Sequence, residues 1–164
     1  GLVNHAFDRR CRCEVGMNKL PDYFHKLEQV IKSYITNQVD HWTLQTHGGK
    51  YSFAPYVQGL LEYDGTIHLE ATSNEYLRPH LSADSIMAMR FLGWSLGNSF
   101  DLPNFWCSRP LSEGADEEIA QFLCRTLYLI YGVDQSFSFT ISPHPQKVGI
   151  KTASLIYRGE NSGS

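Results

Sequence analysis

The first regular pattern in the chain is an amphipathic stripe that starts near residue 20. Its apolar positions alternate between spacings of four and three residues: Leu20, Phe24, Leu27, Ile31 and Tyr34. Charged and amide side chains fill the positions between them, as in a helix that buries one side. The pattern therefore predicts a helix over residues 21–37, which would cover another layer such as a sheet.

Strands are predicted over residues 42–72, where apolar and polar residues alternate. Before Gly48-Gly49 the alternating positions are Trp42, Leu44 and Thr46, and after it they are Tyr51 and Phe53. A second hairpin is predicted at Asp64-Gly65, because Asp-Gly is typical of a two-residue type I′ turn. In that register we expect Leu60 to face Leu69.

Two more helices are predicted near residues 82–93 and 115–131. Ser82 is a favourable N-cap and Gly93 a natural stop for the first of them. Gly132 ends the second, whose apolar stripe consists of Ile119, Phe122, Leu123, Leu127 and Ile130.

The remaining segments predict a loop and two further strands. Residues 97–114 contain prolines, glycines and serines, which indicates a loop with a short strand at Phe105–Cys107. Residues 137–141 alternate as a half-buried strand, and residues 148–157 favour one more strand.

Helices and strands are grouped along the chain, which indicates an α+β domain. We expect a single domain over residues 17–158, with an antiparallel sheet of four to six strands and three packed helices. Residues 1–16 are expected to be a leader or extension, and residues 159–164 a flexible tail.

The composition argues against several classes of protein. The net charge is −3 and the basic residues are scattered, whereas nucleic-acid binding and polybasic membrane contact need a basic cluster. No apolar run approaches the roughly 18 residues that cross a bilayer. The 4 cysteines are too few for a disulfide-rich secreted domain. We therefore expect a cytoplasmic protein without nucleic-acid or membrane partners.

No motif for a metal or a cofactor stands out, and the sequence predicts neither. Cys11-Arg12-Cys13 is one residue shorter than the C-x2-C pair of zinc sites, and the histidines do not recur at ligand spacing. A zinc site built from Cys11, Cys13 and nearby histidines is a weaker alternative that stays open.

Four short sequence segments in the middle and towards the end of the chain carry a resemblance to a known family. They are HLEATSNEYL, LSADSIMAMRFLGW, LPNFW and AQFLCRTLYLIYGV, within residues 57–140. This run resembles the type III secretion chaperone-like and YbjN-like peptide-binding domains of bacteria. The matching positions are Ser73, Asn74, Leu92, Gly93, Trp94, Asn104, Thr126, Leu127, Tyr131 and Gly132.

The resemblance implies a secretion-chaperone-like fold and a non-enzymatic domain that binds a peptide or protein client on an exposed sheet or helix. The motif positions Asn74, Gly93, Asn104 and Gly132 are expected to be structural. In particular, the two asparagines would bond backbone groups at the ends of loops.

An aromatic-rich segment supplies the predicted binding residues. Apolar surface in a loop must pack down or meet a partner, and we predict client contacts from Trp94, Phe100, Phe105 and Trp106. For Trp94, which follows a helix end, a place in the core is the alternative.

Two other functions stay open. The chain could be a small hydrolase whose site gathers Cys107 with His80 or His144 and an acidic residue. It could also be a structural subunit that acts as a homodimer, and homodimerisation is compatible with client binding. A polar pocket with convergent side chains would favour the enzyme, whereas an open apolar groove or sheet would favour the binding module.

Overall fold

The computed structural model describes residues 19–97 and 101–151. Within them, helices and strands follow in the order α1 (His25–Thr36), β1 (His41–His47), β2 (Tyr56–Leu61), β3 (Thr66–Ala71), α2 (Ala83–Leu92), β4 (Phe105–Pro110), α3 (Ala115–Leu129) and β5 (Ser138–Ser142). The predicted α+β class is confirmed.

The strands form one antiparallel sheet in the order β4-β3-β2-β1-β5. The first three strands are a meander, β4 joins its β3 edge after α2, and β5 returns after α3 to pair with β1. The 5 strands of this sheet lie within the predicted range of four to six.

Alternate residues of every strand enter one hydrophobic core together with the buried sides of the helices. In the middle of the sheet these inward side chains are Trp42, Leu44, Val57, Ile67 and Leu69. The helices α1 and α3 contact each other and add Leu27, Ile31, Tyr34, Ile119, Leu123 and Leu127. Since burying one such side chain contributes roughly 1.5–3 kcal/mol, this layer is the main support of the sheet.

The predicted ends of α2 are confirmed, while α1 starts later than predicted. Ser82 caps α2 by accepting a hydrogen bond from the Ser85 N–H (3.1 Å), and Gly93 ends it at φ 114°. Gly132 has φ 70° beyond the end of α3. The first turn predicted for α1 is instead a 3-10 turn at Asp22–Phe24.

The hairpin between β2 and β3 differs from its prediction by one residue. Leu60 is opposite His68, and the connection is longer than two residues. Gly65 has φ 82°, whereas Asp64 is not among the residues with positive φ, so a type I′ turn is excluded. Asp64 instead accepts hydrogen bonds from the N–H and the hydroxyl of Thr66, at 3.1 and 2.6 Å.

The strand predicted around Tyr51 and Phe53 is wrong, and the strand predicted over 148–157 is wrong at its start, which is the part that the structure describes. Phe53 makes only an isolated bridge to Arg78, and Pro55, which has no N–H to donate, follows shortly. Residues 145–148 form a 3-10 turn that begins at Pro145, a residue suited to the first helical position. The predicted strand covers residues 148–157. Residues 149–151 are described and form no strand, and residues from 152 onward lie outside the described residues.

Candidate functional site

The strand residues that alternate with the core positions face away from the helices, and we call this surface the outer face. None of its side chains is buried. Antiparallel sheets commonly have one packed side and one side open to solvent. The outer face consists of His41, Thr43, Gln45, His47, Tyr56, Gln58, Leu60, Thr66, His68, Glu70, Trp106, Ser108, Pro110, Ser138, Thr140 and Ser142.

A hydrogen-bond network centred on Glu70 crosses the middle of the outer face. Gln58 Nε2 donates to Glu70 Oε1 (3.1 Å), and Thr43 Oγ1 donates to Gln58 Oε1 (3.2 Å). Asn104 Nδ2 also donates to Glu70 Oε1 (3.1 Å), while His68 Nε2 lies 3.0 Å from Glu70 Oε2. Strand register brings the row together, because Gln58 is opposite both Glu70 and Thr43.

Trp106 is the aromatic residue at the β4 end of this row. It is opposite Glu70, and its ring stacks on His68 with the centroids 6.0 Å apart. Its backbone N–H donates to the Ser95 carbonyl (3.0 Å) and its carbonyl accepts from the Ser95 N–H (2.8 Å). The side chain is half-buried. Trp106 is therefore held in place with part of its ring open to solvent on the outer face.

A cavity of about 490 Å³, which we call the groove, opens where β1 ends and β2 begins. Three of its residues, Gln45, His47 and Tyr56, also belong to the outer face, so the groove continues that surface. Phe53 and Tyr76 add large rings that are 64% and 47% exposed. The lining consists of Gln45, Thr46, His47, Gly48, Tyr51, Ser52, Phe53, Ala54, Tyr56 and Tyr76.

Hydrogen bonds fix the walls of the groove. Gln45 Nε2 donates to the backbone carbonyls of Thr46 (2.9 Å) and Ala54 (3.1 Å). Asn104 Nδ2 donates to the Tyr56 hydroxyl (3.0 Å). Burial raises the pKa of Tyr56 above its ordinary value, so the phenol stays a neutral hydrogen-bond partner well beyond physiological pH. Asn104 thus connects the groove with the network around Glu70.

A second cavity of about 490 Å³ lies beside the start of α2 and the end of α3. Lys50, His80 and Ser82 are among its polar lining residues. Tyr51 lines both cavities, and its hydroxyl donates to the Tyr131 carbonyl (2.6 Å). The second cavity contains no residue of the outer face, so the groove is the better candidate for a client site.

Two of the predicted binding residues are corrected to core positions. Trp94 is 3% exposed, its Nε1 donates to Thr126 Oγ1 (3.0 Å), and its ring stacks on Phe122. Phe105 is 4% exposed and points into the core. Neither side chain is available to a client in this fold. Phe100 lies outside the described residues.

The two asparagines of the family motif both bond loop backbone. Asn74 Nδ2 donates to the Leu81 carbonyl (3.1 Å), and Asn74 Oδ1 accepts from the Leu81 N–H (2.7 Å). Asn104 Oδ1 accepts from the Ser73 N–H (3.1 Å). The first asparagine closes the segment before α2, and the second holds the chain just beyond β3 against the start of β4.

Sequence reasoning missed Glu70, Tyr56 and Tyr76 as parts of a site. The first two fall on polar-side positions of predicted strands, so their exposure follows from the alternation alone. Their convergence follows only from the register of β2 with β3 and from the position of Asn104. For Tyr76, which lies in the connection between β3 and α2, no sequence signal points to the groove.

Cys107 and His80, which the alternative hydrolase site would bring together, lie in different parts of the structure. Cys107 faces the core, and burial raises the pKa of its thiol although Arg109 beside it acts in the opposite direction. His80 lines the second cavity, to which Cys107 does not belong. In the described ranges, no three His, Cys, Asp or Glu side chains form a group suited to a metal ion.

Comparison with known families assigns the chain to a class of peptide-binding chaperones. The family model is described as TY-Chap3, T3SS (YopN, CesT) and YbjN peptide-binding chaperone 3, and it matches residues 19–141. The match spans most of the chain, so the protein belongs to this family and the resemblance is confirmed. No curated protein and no solved structure matches the chain. Across residues 19–97 and 101–151, no helix is long and apolar enough to span a bilayer.

Proposed function

We propose that this protein binds extended segments of other polypeptides on the outer face, with the groove as the pocket for an apolar side chain. The observation that carries the proposal is the composition of that face and of the groove beside it. A row of mutually bonded polar side chains lies between the half-buried ring of Trp106 and the exposed rings of Phe53 and Tyr76 in the groove. Membership of a family of peptide-binding chaperones supports a peptide or protein as the client.

The distance between Trp106 and Tyr56, the two aromatic residues of the outer face, indicates which client segments can contact both. Trp106 and Tyr56 lie on strands separated by β3, which places them roughly 10 Å apart or somewhat more at the usual strand spacing. An extended chain covers that distance in about three or four residues. The client segment would therefore carry two apolar side chains with this separation.

The hydrogen-bond network around Glu70 preorganises the polar side chains of the outer face for binding. The side chains of Thr43, Gln58 and Asn104 are already held by hydrogen bonds, so binding does not have to order them. Their polar atoms also keep partners when a client covers them, which avoids the cost of burying unsatisfied groups.

We propose further that the protein acts in the cytoplasm and catalyses no reaction. Nucleophilic catalysis by cysteine needs a thiolate, and burial raises the pKa of both Cys107 and Cys124. The low number of cysteines in the sequence favours a reducing compartment.

The proposal can be tested by mapping peptides onto the folded protein. Peptides of twelve residues would be selected from a random displayed library on the full chain, then titrated into isotope-labelled protein. We expect the backbone amide shifts to change in the strands of the outer face and around the groove. Shift changes confined to α2 or to the second cavity, or the absence of any selected peptide, would overturn the proposal.

A matched pair of variants shows whether the client binds on the outer face or in the second cavity. Leu60 on the outer face and Leu129 at the second cavity are 40% and 42% exposed, so either tolerates a polar residue. We expect Leu60→Asp to weaken peptide binding at least tenfold and Leu129→Asp to leave it unchanged. The reverse pattern would place the client in the second cavity.

We also propose that two copies pair through α2. Met87 and Phe91 are 49% and 87% exposed on the side of α2 that faces away from the buried Met89. An antiparallel pair centred on Met87 would place Ala83 of one copy against Phe91 of the other. A small residue would then meet a large one, and the exposed rings would be covered.

The charges on the same side of α2 fit this arrangement. Asp84 and Arg90 lie three residues before and after Met87, and both are exposed. In the antiparallel pair, Asp84 of each copy would be opposite Arg90 of the other. The helix surface is therefore complementary to itself.

A further inference from the structure

The outer face has an unusual distribution of charge. Its strand positions hold hydroxyl, amide, imidazole and aromatic side chains together with Leu60 and Pro110, and Glu70 is its one Asp, Glu, Lys or Arg in the described strands. No lysine or arginine balances this carboxylate on the outer face. A surface of this kind attracts a cation.

The carboxylate of Glu70 also has room for another donor. A carboxylate offers about four acceptor positions, and three hydrogen-bond contacts are present. Gln58 and Asn104 both donate to Oε1, whereas among the described residues Oε2 has only His68 as its partner. The Glu70 side chain is 19% exposed, so an incoming group can reach it. The open acceptor position lies on Oε2.

The indole ring of Trp106 is adjacent to Glu70, whose Oε2 has the open acceptor position. Trp106 is opposite Glu70 across the β3–β4 pair and stacks on the imidazole of His68 that contacts Oε2. The face of an indole attracts cations, and tryptophan does so more strongly than the other aromatic residues. A carboxylate and an indole side by side are suited to a flat, positively charged group.

We propose that the client segment carries an arginine whose guanidinium bonds Glu70 Oε2 and lies against Trp106. The inference rests on the proposed function, because it names the client chemistry of the same surface. Arginine fits better than lysine, since a planar guanidinium can stack on the indole while one N–H donates to the carboxylate. The two apolar side chains of the client supply contact area, and the arginine fixes which segment is chosen and in which direction it lies.

The test uses peptides selected on the full chain as described above. We expect the selected sequences to share an arginine close to an apolar residue. Replacing that arginine by citrulline, which keeps the shape and removes the charge, should weaken binding to the natural chain about tenfold. This measurement needs no protein variant, so it is unaffected by any folding defect.

The charge partner is identified by a Glu70→Gln variant. Its amide oxygen still accepts from Gln58 and Asn104, and the melting temperature verifies that the fold is kept. We expect the arginine and citrulline peptides to bind this variant with nearly equal affinity. Glu118→Gln on α3, where the carboxylate is exposed on another surface, should leave the tenfold difference intact.

The outcomes distinguish this inference from the proposed function. If the peptides bind the outer face and citrulline binds as well as arginine, the inference is wrong and the proposed function stands. The inference is also overturned if Glu70→Gln retains the full tenfold difference. If no peptide binds the outer face, both proposals fall together.

Discussion

Trp42 and Gly59 lie directly opposite each other on β1 and β2, and the indole occupies the space where a side chain of residue 59 would be. A Cβ on Gly59 would lie 2.6 Å from Trp42 Cζ2 and 2.7 Å from Cε2. Both residues face the core, where Trp42 also meets Tyr34 edge to face. This core tryptophan is thus accommodated because the residue opposite it has no side chain.

We expect Gly59→Ala to destabilise the protein by about 1–3 kcal/mol, because the methyl group overpacks a filled core. Urea unfolding monitored by tryptophan fluorescence measures the loss. In a Trp42→Phe background the smaller ring leaves room, so the same substitution should cost clearly less. An equal cost in both backgrounds would contradict the role of the indole.

Gly65→Ala tests a different property, the backbone conformation of a turn. The residue has φ 82° and no atom lies within 4 Å of an added Cβ, so the expected loss of about 1 kcal/mol comes from the backbone alone. Gly65→Asn should cost less, since asparagine tolerates the left-handed region better than alanine. Equal losses for the two variants in chemical unfolding would argue against this explanation.

The pairing of two copies through α2 is tested by exchanging charges. Asp84→Arg should weaken the dimer, because the new charge meets Arg90 of the other copy. Arg90→Asp should do the same, and the double variant should recover the pairing with the charges reversed. Light scattering after size-exclusion chromatography measures the mass at several concentrations and at low salt. A wild-type chain that is monomeric at high micromolar concentration would contradict the proposal.

Much of the fold could be predicted because local patterns decide it. The apolar residues from Phe24 to Tyr34 recur with a helical period, and in the structure they lie on the buried side of α1 and of the turn before it. Ser82 and Gly93 mark the ends of α2 by capping and by a positive φ, both of which are local properties. The Asp64-Gly65 turn was placed correctly, but the register shifted because only Gly65 takes a positive φ.

The site could be predicted only in part, because it depends on register and on long-range contacts. Phe105 and Trp106 are neighbours in one strand, so only one of them can face the core. The sequence shows two aromatic residues in a segment that it predicts to be mainly loop, and on that basis both are predicted to bind a client. The network joins Thr43, Glu70 and Asn104 from distant parts of the chain, and no spacing in the sequence indicates that they meet.

Trp106→Ala is the direct test of the aromatic position on the outer face. Truncating an aromatic anchor costs about 2 kcal/mol of binding free energy, so we expect roughly thirtyfold weaker capture of the selected peptides. The fold should tolerate the change, since the side chain is half-buried near an edge of the sheet. Titration calorimetry and a thermal melt of the same sample measure both quantities.

Two tryptophan variants compared side by side make this result decisive. Trp94→Ala removes a core side chain and its hydrogen bond to Thr126, so we expect a loss of about 3–5 kcal/mol of stability. Tyr63→Ala removes a fully exposed ring from the hairpin between β2 and β3 and should change neither the stability nor the affinity for peptide. If Trp106→Ala destabilises the protein as much as Trp94→Ala, the indole of Trp106 supports the fold. A client surface would then have to be sought at Phe53 and Tyr76, the exposed rings of the groove.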